Sequence, residues 1–316
     1  MTRFFIVGGA GFIGSHLVDA LIGRYGVTVY DNLSSGQLAF ISRHRGNPRF
    51  SFVRGDCGDL KRLRRAMAGH DAVIHLASNP DIARSLRETD LDLREGTLLT
   101  FNVLEAMRLT GAKTILYASG SGVYGDTGRL PTPEDFGPLL PISLYGASKL
   151  AGEGLASAFS HMFDLRANIF RFANVVGARQ THGVAFDFIR RLRKDPRVLD
   201  VLGDGRQSKS YLHVSDAVSA MLMSLRRGRE RVNVFNVATG DYLSVSAIAR
   251  LVIVEMGLAG VNVRYAGGAR GWKGDVPVVR FDLKKILHLG WRPRHNSAEA
   301  MRRSIREMLA QKNSDQ

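Results

Sequence analysis

The stretch Arg3-Phe4-Phe5-Ile6-Val7-Gly8-Gly9-Ala10-Gly11-Phe12-Ile13-Gly14 decides the fold. Its first five residues read as a short apolar strand. Three glycines follow at Gly-x-x-Gly-x-x-Gly spacing, and Leu17, Val18, Leu21 and Ile22 then recur with helical periodicity. Strand, glycine turn and helix in that order make a phosphate cradle. Gly8 permits the tight turn, Gly11 lets the backbone approach a pyrophosphate, and Gly14 allows the helix to close on the strand. Phe12 and Ile13 begin the helix, whose free N–H groups and positive dipole end face the phosphates. A second strand, Val27 to Tyr30, ends in Asp31, about 20 residues on, where a ribose-binding acid belongs. That carboxylate accepts from both ribose hydroxyls and repels a 2′-phosphate, so NAD is expected rather than NADP.

Working outward, apolar strands alternate with helical patterns through the first half. The strands are Arg3–Val7, Val27–Asp31, Phe50–Arg54, Ala72–His75, Thr114–Ala118 and Arg166–Arg171, and the helices lie near 12–24, 59–69, 92–110 and 143–163. This alternation predicts an α/β fold: a Rossmann-type doubly wound parallel sheet covered on both faces. Ligands bind such sheets at the carboxyl ends of the strands. Those ends carry Gly8, Asp31, Asp56, Ala77 with Ser78, and Ser119 to Ser121. The second half has shorter elements. Gly203-Asp204-Gly205 marks a turn, Lys209 to Val214 a strand entering a helix over 214–226, and Val232–Val237 another strand. Ser244 can cap a helix over 245–257, and Gly267, Gly268, Gly271 and Gly274 make a loop. A basic helix over 296–311 precedes a tail, Lys312 to Gln316, expected to fray. The expected division is an NAD-binding domain over 1–175, with 210–237 returning to it, and a smaller C-terminal α/β substrate lobe from 176–209 and 238–316.

Tyr145 and Lys149 occupy Ser143-Leu144-Tyr145-Gly146-Ala147-Ser148-Lys149. On a helix, i and i+4 share a face. An ammonium beside a phenol favours phenolate and is expected to pull the tyrosine below its usual pKa of about 10. A tyrosine so tuned can take a proton from a sugar or alcohol hydroxyl near neutral pH.

Composition sets outer bounds. The 316 residues are 45% hydrophobic, ample for a large core. No apolar run reaches the roughly 18 residues that a membrane span needs, and the start is too short for a signal peptide before the glycine turn. Cys57 is the only cysteine, so an intramolecular disulfide is impossible and a reducing cytoplasm is expected. No metal-ligand motif is evident. The formal net charge of +15 is clustered in Lys61 to Arg65, Arg190 to Arg197, Arg226 to Arg231 and Arg302 to Arg306. Without interleaved aromatics, these runs read as solvated helix faces rather than a nucleic-acid surface.

With these residues in hand, the chain resembles the extended short-chain dehydrogenase/reductases, and within them the compact archaeal and bacterial UDP-glucose 4-epimerases. The likeness runs nearly end to end. It rests on Gly8 to His16, Asp31-Asn32-Leu33-Ser34-Ser35-Gly36, His75-Leu76-Ala77, Val123-Tyr124-Gly125, Tyr145 with Lys149, Arg171-Phe172-Ala173-Asn174, His182-Gly183-Val184, Gly203-Asp204-Gly205, Tyr211-Leu212-His213-Val214 and Gly274-Asp275-Val276. The resemblance implies that Tyr145 removes the sugar 4-hydroxyl proton while NAD oxidises C4, and that the 4-keto sugar is reduced on its other face. It implies that Lys149 holds the nicotinamide ribose, and that Asn32, Ser35, Gly36, Asp56, Leu76, Ala77 and Ser119 join the cofactor set. Ser121, Asn174, Val184, Lys209, Arg270 and Asp275 are implied to hold a UDP-sugar. Lys209 stands where the family usually has arginine, keeping the charge but not the bidentate fork. His213 and Tyr124 are read as packing residues. Val279, in the family's size-gate position, predicts that N-acetylhexosamine nucleotides also fit. A homodimer through the helices near 92–110 and 143–163 is implied as well.

Two residues depart from that pattern. Gly120 occupies the slot where the family keeps a Ser or Thr of the proton relay, and Gly96 stands where an Asn is frequent. Ser119 and Ser121 flank the first slot, but strand neighbours point to opposite faces. The Asp-Glu pair that related 4,6-dehydratases place before Val-Tyr-Gly is here Ser121-Gly122, which argues against dehydration. Epimerisation of another nucleotide sugar such as UDP-glucuronate, and a weakened NAD-binding scaffold protein, remain open beside the UDP-hexose reading.

Overall fold

The computed structural model describes residues 2–128 and 130–311. The tail beyond Gln311 lies outside them. The chain opens with β1 (Arg3–Val7), α1 (Phe12–Leu21), β2 (Gly26–Asp31), β3 (Phe50–Arg54), α2 (Leu60–Met67) and β4 (Ala72–His75). A π-helical turn, Leu93–Leu98, runs into α3 (Leu99–Thr110). Next come β5 (Thr114–Gly120), a 3₁₀ turn Ser121–Tyr124, α4 (Leu144–Phe163) and β6 (Arg166–Phe172). The remaining elements are β7 (Asn174–Val176), α5 (Val184–Lys194), β8 (Val198–Val201), β9 (Ser208–Lys209), β10 (Tyr211–His213), α6 (Val214–Arg227), β11 (Val232–Val237), β12 (Leu243–Ser244), α7 (Val245–Glu255), β13 (Asn262–Tyr265), α8 (Lys284–His288) and α9 (Ser297–Gln311).

Seven strands form one sheet in the order β11-β6-β5-β4-β1-β2-β3. β1 runs parallel to both β2 and β4, with Val7 level with Tyr30 on one side and His75 on the other. Phe4 to Val7 are all buried. This is why β1 reads as an unbroken apolar run: a central parallel strand is covered on both faces. The strand order reverses between β1 and β4, which opens the crevice where doubly wound sheets bind ligands. Leu63 and Met67 of α2, Val103, Leu104 and Met107 of α3, and Phe159 of α4 pack with Phe5, Tyr30 and Tyr117 into one core. Cys57 is free and buried among them.

Two compact units emerge. The first comprises residues up to Val123, Leu144–Arg171 and Val218–Phe235; the second comprises Tyr124–Ser143, Phe172–Ala217 and the chain from Asn236 on. Residues 124–143 thus cluster with the second unit. Within it, β7 pairs with β10 and β8 with β13, both parallel, while β9 and β12 are antiparallel. Its core joins Phe188, Ile189 and Leu192 of α5 to Ile248 and Val252 of α7 and to Met301, Ile305 and Met308 of α9. Ser244 caps α7, its hydroxyl accepting from the Ala247 amide at 3.2 Å.

Helix α5 explains one charge cluster that the sequence left without an element. Ala185, Phe188, Ile189 and Leu192 are buried on one face, and Arg191, Arg193 and Lys194 fill its last turn, where cations suit the dipole. The C-terminal cluster is paired: Arg306 meets Glu255 at 2.7 Å and Arg303 meets Glu307 at 2.8 Å.

The turn after β1 has no room for a side chain at Gly14. A Cβ there would lie 2.3 Å from the Gly8 carbonyl oxygen and 2.6 Å from Gly9 Cα. Alanine would gain at most about 1 kcal/mol of helix propensity, against an overpacking cost of roughly 1–3 kcal/mol. Gly14→Ala is therefore expected to lower the urea midpoint. An unchanged midpoint would show that the turn has slack that the structure does not.

Candidate functional site

At the switch point the turns after β1 and β4 touch. Gly8 has φ 78°, and a Cβ on it would stand 2.8 Å from the Ala77 amide nitrogen. The Leu76 amide donates to the Val7 carbonyl at 3.0 Å, holding Leu76 and Ala77 beside the glycine turn. No side chain caps the N-terminus of α1, so its first-turn amides at Phe12 and Ile13 remain for an anion. At the end of β2, Asp31 accepts from the Ala10 amide at 3.0 Å and the Leu33 amide at 2.8 Å. A Cβ on Gly36 would fall 2.9 Å from both Asp31 oxygens. Glycine there leaves the carboxylate a free approach, which fits a ribose diol. Burial raises the Asp31 pKa, and the two amides oppose it. Asn32 donates to Asp56 at 2.8 Å, tying two more cofactor candidates together; Ser35 is exposed beside them. These residues fit a dinucleotide.

Helix α4 carries Tyr145, Lys149 and Glu153 at successive i+4 steps, and so on one face. Lys149 is buried and donates to the Ala118 carbonyl at 2.8 Å. Its Nζ lies 5.5 Å from the Tyr145 ring centroid. Burial pushes Lys149 down to about 8, against the carboxylates of Asp92 and Glu153. Tyr145 is partly exposed as a residue, but its hydroxyl sits deep among protein groups. It corrects the expectation of a lowered pKa: burial pushes it up to about 12 and Asp92 adds to the rise, while a hydrogen bond with the Ser78 side chain opposes both. Lys149 gives one proton to the Ala118 carbonyl, and burial outweighs what favours the phenolate in the free protein. His75 is driven down to about 3 by burial and by Lys149, and stays neutral beside Thr100.

The serines of β5 are disposed unequally. Ser119 is buried and donates to Glu153 at 2.5 Å, and Glu153 also accepts from the Arg171 guanidinium at 2.7, 3.0 and 3.2 Å. Its hydroxyl thus serves a buried ion pair. Gly120 ends the strand, and Ser121 opens the following 3₁₀ turn. Gly96 lies in the π-helical turn, where a Cβ would meet Ser148 Oγ at 2.5 Å and Ser148 Cβ at 2.9 Å. The missing asparagine side chain is therefore matched by Ser148, which fills its space.

The second unit gathers three candidates. Lys209 Nζ lies 2.6 Å from Asp275 Oδ1, and Arg270 donates to the Asp275 carbonyl and to Asp126, both at 2.6 Å. Asn174 is exposed at the start of β7, its side chain hydrogen-bonded to Tyr211, and Val184 begins α5. Tyr124 packs on Phe136 and Phe281 and donates to Asn236 at 2.7 Å. His213 is buried between Ser215 and Glu307. Asp92, Asp126, Glu153 and Ser78's contact escaped the sequence reading. Only Glu153 left a usable signal, its i+4 offset from Lys149. Among the described residues no group of three or more His, Cys, Asp or Glu could hold a metal, and no helix is long and apolar enough to cross a membrane.

Comparison with known proteins agrees with this geometry. A profile of the NAD dependent epimerase/dehydratase family matches residues 4–238. A UDP-glucose 4-epimerase of Mycolicibacterium smegmatis is 31% identical over 314 residues, covering 96% of this chain and 97% of its own. A dTDP-glucose 4,6-dehydratase of Streptomyces griseus is 34% identical over 278 residues, covering 85% and 83%. A crystal structure of a UDP-galactose 4-epimerase superposes with a TM-score of 0.87 at 40% identity, covering 98% of this chain and 99% of that one.

The Glu153–Arg171 pair is buried on both sides. Glu153→Gln leaves a guanidinium without its counter-ion, which typically costs about 3–5 kcal/mol. A fall in unfolding free energy of that order is expected in urea titration, and a loss below about 1 kcal/mol would show that water reaches the pair.

Proposed function

Because the chain belongs to the NAD-dependent epimerase/dehydratase family, we propose that it is a UDP-hexose 4-epimerase interconverting UDP-glucose and UDP-galactose. The observation that carries this reading is the Tyr145–Lys149 pair on α4, in the same unit as the glycine cradle, with no acid or base at Ser121-Gly122. Bound NAD supplies the oxidation of C4 and its reversal, and its cationic ring adds positive charge. The chain's own residues handle binding and the proton. Tyr145 takes the proton of the sugar 4-hydroxyl and gives it back when the 4-keto group is reduced. In the free protein the phenol keeps its proton, so it becomes a base only as positive charge gathers beside it. Lys149 is the cation this chain contributes. Elimination of water would need a general acid at C6, and Ser121 and Gly122 provide none.

In the second unit, Lys209 and Arg270 are proposed to hold the diphosphate, Asp275 the ribose, and Asn174 and Val184 the rest of the nucleotide. Lys209 and Arg270 are now neutralised by Asp275 and Asp126, so a diphosphate would replace charges already paired. Val279 is small and buried, which supports acceptance of N-acetylhexosamine nucleotides. A cytoplasmic homodimer is part of the same reading. Leu98, Phe101 and Leu109 around α3 and Met162 on α4 stay exposed, and a partner copy would cover them.

Purified protein given UDP-galactose without added NAD is expected to form UDP-glucose, and Tyr145→Phe to abolish the conversion. UDP-glucuronate assayed in parallel tests the sugar; conversion of it alone would overturn the hexose reading. The Lys149 ammonium is present below about pH 8 and lost above it. The turnover number is therefore expected to decline as pH rises through that value. A rate that keeps climbing to pH 10 would show that the ammonium is not needed.

A further inference from the structure

His75 closes β4 and is buried against α3. Its Nε2 lies 3.0 Å from Thr100 Oγ1, and the Thr100 hydroxyl donates its one proton to the Gly96 carbonyl at 2.7 Å. Towards His75 that oxygen can only accept, so Nε2 carries the ring proton. The other nitrogen, Nδ1, is buried and meets no protein partner among the described residues. Gly96 sits in the π-helical turn and faces α4 so closely that a Cβ on it would lie 2.5 Å from Ser148 Oγ. Ser148 in turn donates to the Tyr145 carbonyl at 2.9 Å. We propose that His75 is a positioning residue for α4: through Thr100 and Gly96 it pins the π-helical turn against Ser148, and so seats the helix turn that carries Tyr145 and Lys149.

A π-helical turn is a poor helix by itself and persists where neighbours hold it. Gly96 brings no side chain to brace it. Thr100 supplies one tie, reaching back to the carbonyl four residues earlier as threonine does inside helices, and His75 anchors that hydroxyl to the central sheet. A neutral imidazole suits the task. Burial and Lys149 drive its pKa down to about 3, so it keeps one proton and one tautomer at working pH. His75 and Lys149 both flank the Tyr117 ring, the imidazole centroid at 5.6 Å and Nζ at 5.3 Å. The other charged and titratable groups facing Lys149 are Tyr145 and Glu153 on α4 and Asp92 before the π-helical turn, with Arg171 of β6 bound to Glu153. Burial is what lowers Lys149 to about 8. A loosened first turn of α4 that admits water to the ammonium therefore raises its pKa.

The inference rests on the epimerase reading for its kinetics but not for its spectroscopy. In protein labelled with nitrogen-15 histidine, the His75 ring is assigned by its loss in His75→Gln. It is expected to show a protonated Nε2 and a bare Nδ1, unchanged between pH 9 and pH 5, and to mix tautomers in Thr100→Val. In protein labelled with carbon-13 lysine, Lys149 is assigned by its loss in Lys149→Met and is expected to titrate at about 8. That titration should move upward in Thr100→Val and in His75→Asn, whose shorter amide does not reach Thr100. It should stay in place in Thr100→Ser, which keeps the hydroxyl, and in His75→Gln, which sets an amide N–H where Nε2 stood. With UDP-galactose, Thr100→Val and His75→Asn are expected to lower kcat about three- to tenfold with little change in KM, and the alkaline limb of the pH profile should follow Lys149. A wild-type His75 ring that mixes tautomers or titrates at about 6.5, or a Lys149 titration equal in all these variants, overturns the proposal. A wild-type protein that converts no UDP-hexose overturns the epimerase reading alone, since the two resonances still decide whether His75 seats α4.

Discussion

The first unit is organised around an ammonium that has left water. Lys149 is buried on α4, and a buried cation persists only where protein groups replace its hydration. The Ala118 carbonyl takes one of its protons, and the carboxylates of Glu153 and Asp92 supply opposite charge. Each of those carboxylates then needs partners of its own. Glu153 finds Arg171 and Ser119, and Asp92 finds Asn79 and Ser85. The serines, the strand ends and the helix face are thus joined by one chain of compensation.

That chain has chemical consequences. It spends the Ser119 proton on the buried ion pair. It keeps His75 neutral, since a second buried cation beside Lys149 would have no counter-charge. It also places the negative charge of Asp92 where it opposes ionisation of Tyr145. The tyrosine consequently keeps its proton in the free protein. The second unit treats charge differently: Lys209 pairs with the buried Asp275, and Arg270 with the half-exposed Asp126. The large positive balance of the chain fits the same view, with the runs on α5 and α9 forming the polar faces of amphipathic helices.

Much of the fold was legible because the central sheet obeys a local rule. Parallel strands covered on both faces are short apolar runs, and Arg3–Val7, Phe50–Arg54 and Ala72–His75 are found within the same bounds in the structure. The glycine turn was legible for a related reason: only glycine satisfies the contact of Gly8 with Ala77. Short pairings such as β8 with β13 left no comparable trace. Four-residue strands held by distant partners carry no periodicity long enough to recognise.

The sequence by itself determined the doubly wound sheet, the cradle with Asp31 at its far side, and the placement of Tyr145 and Lys149 on one helix face. These follow from spacing along a single element, where geometry is set by the backbone repeat. Only the tertiary structure decided the direction of the Tyr145 pKa, the commitment of Ser119 and the match of Gly96 with Ser148. Those depend on burial and on which distant side chains share a volume, and neither is written in the spacing of neighbours.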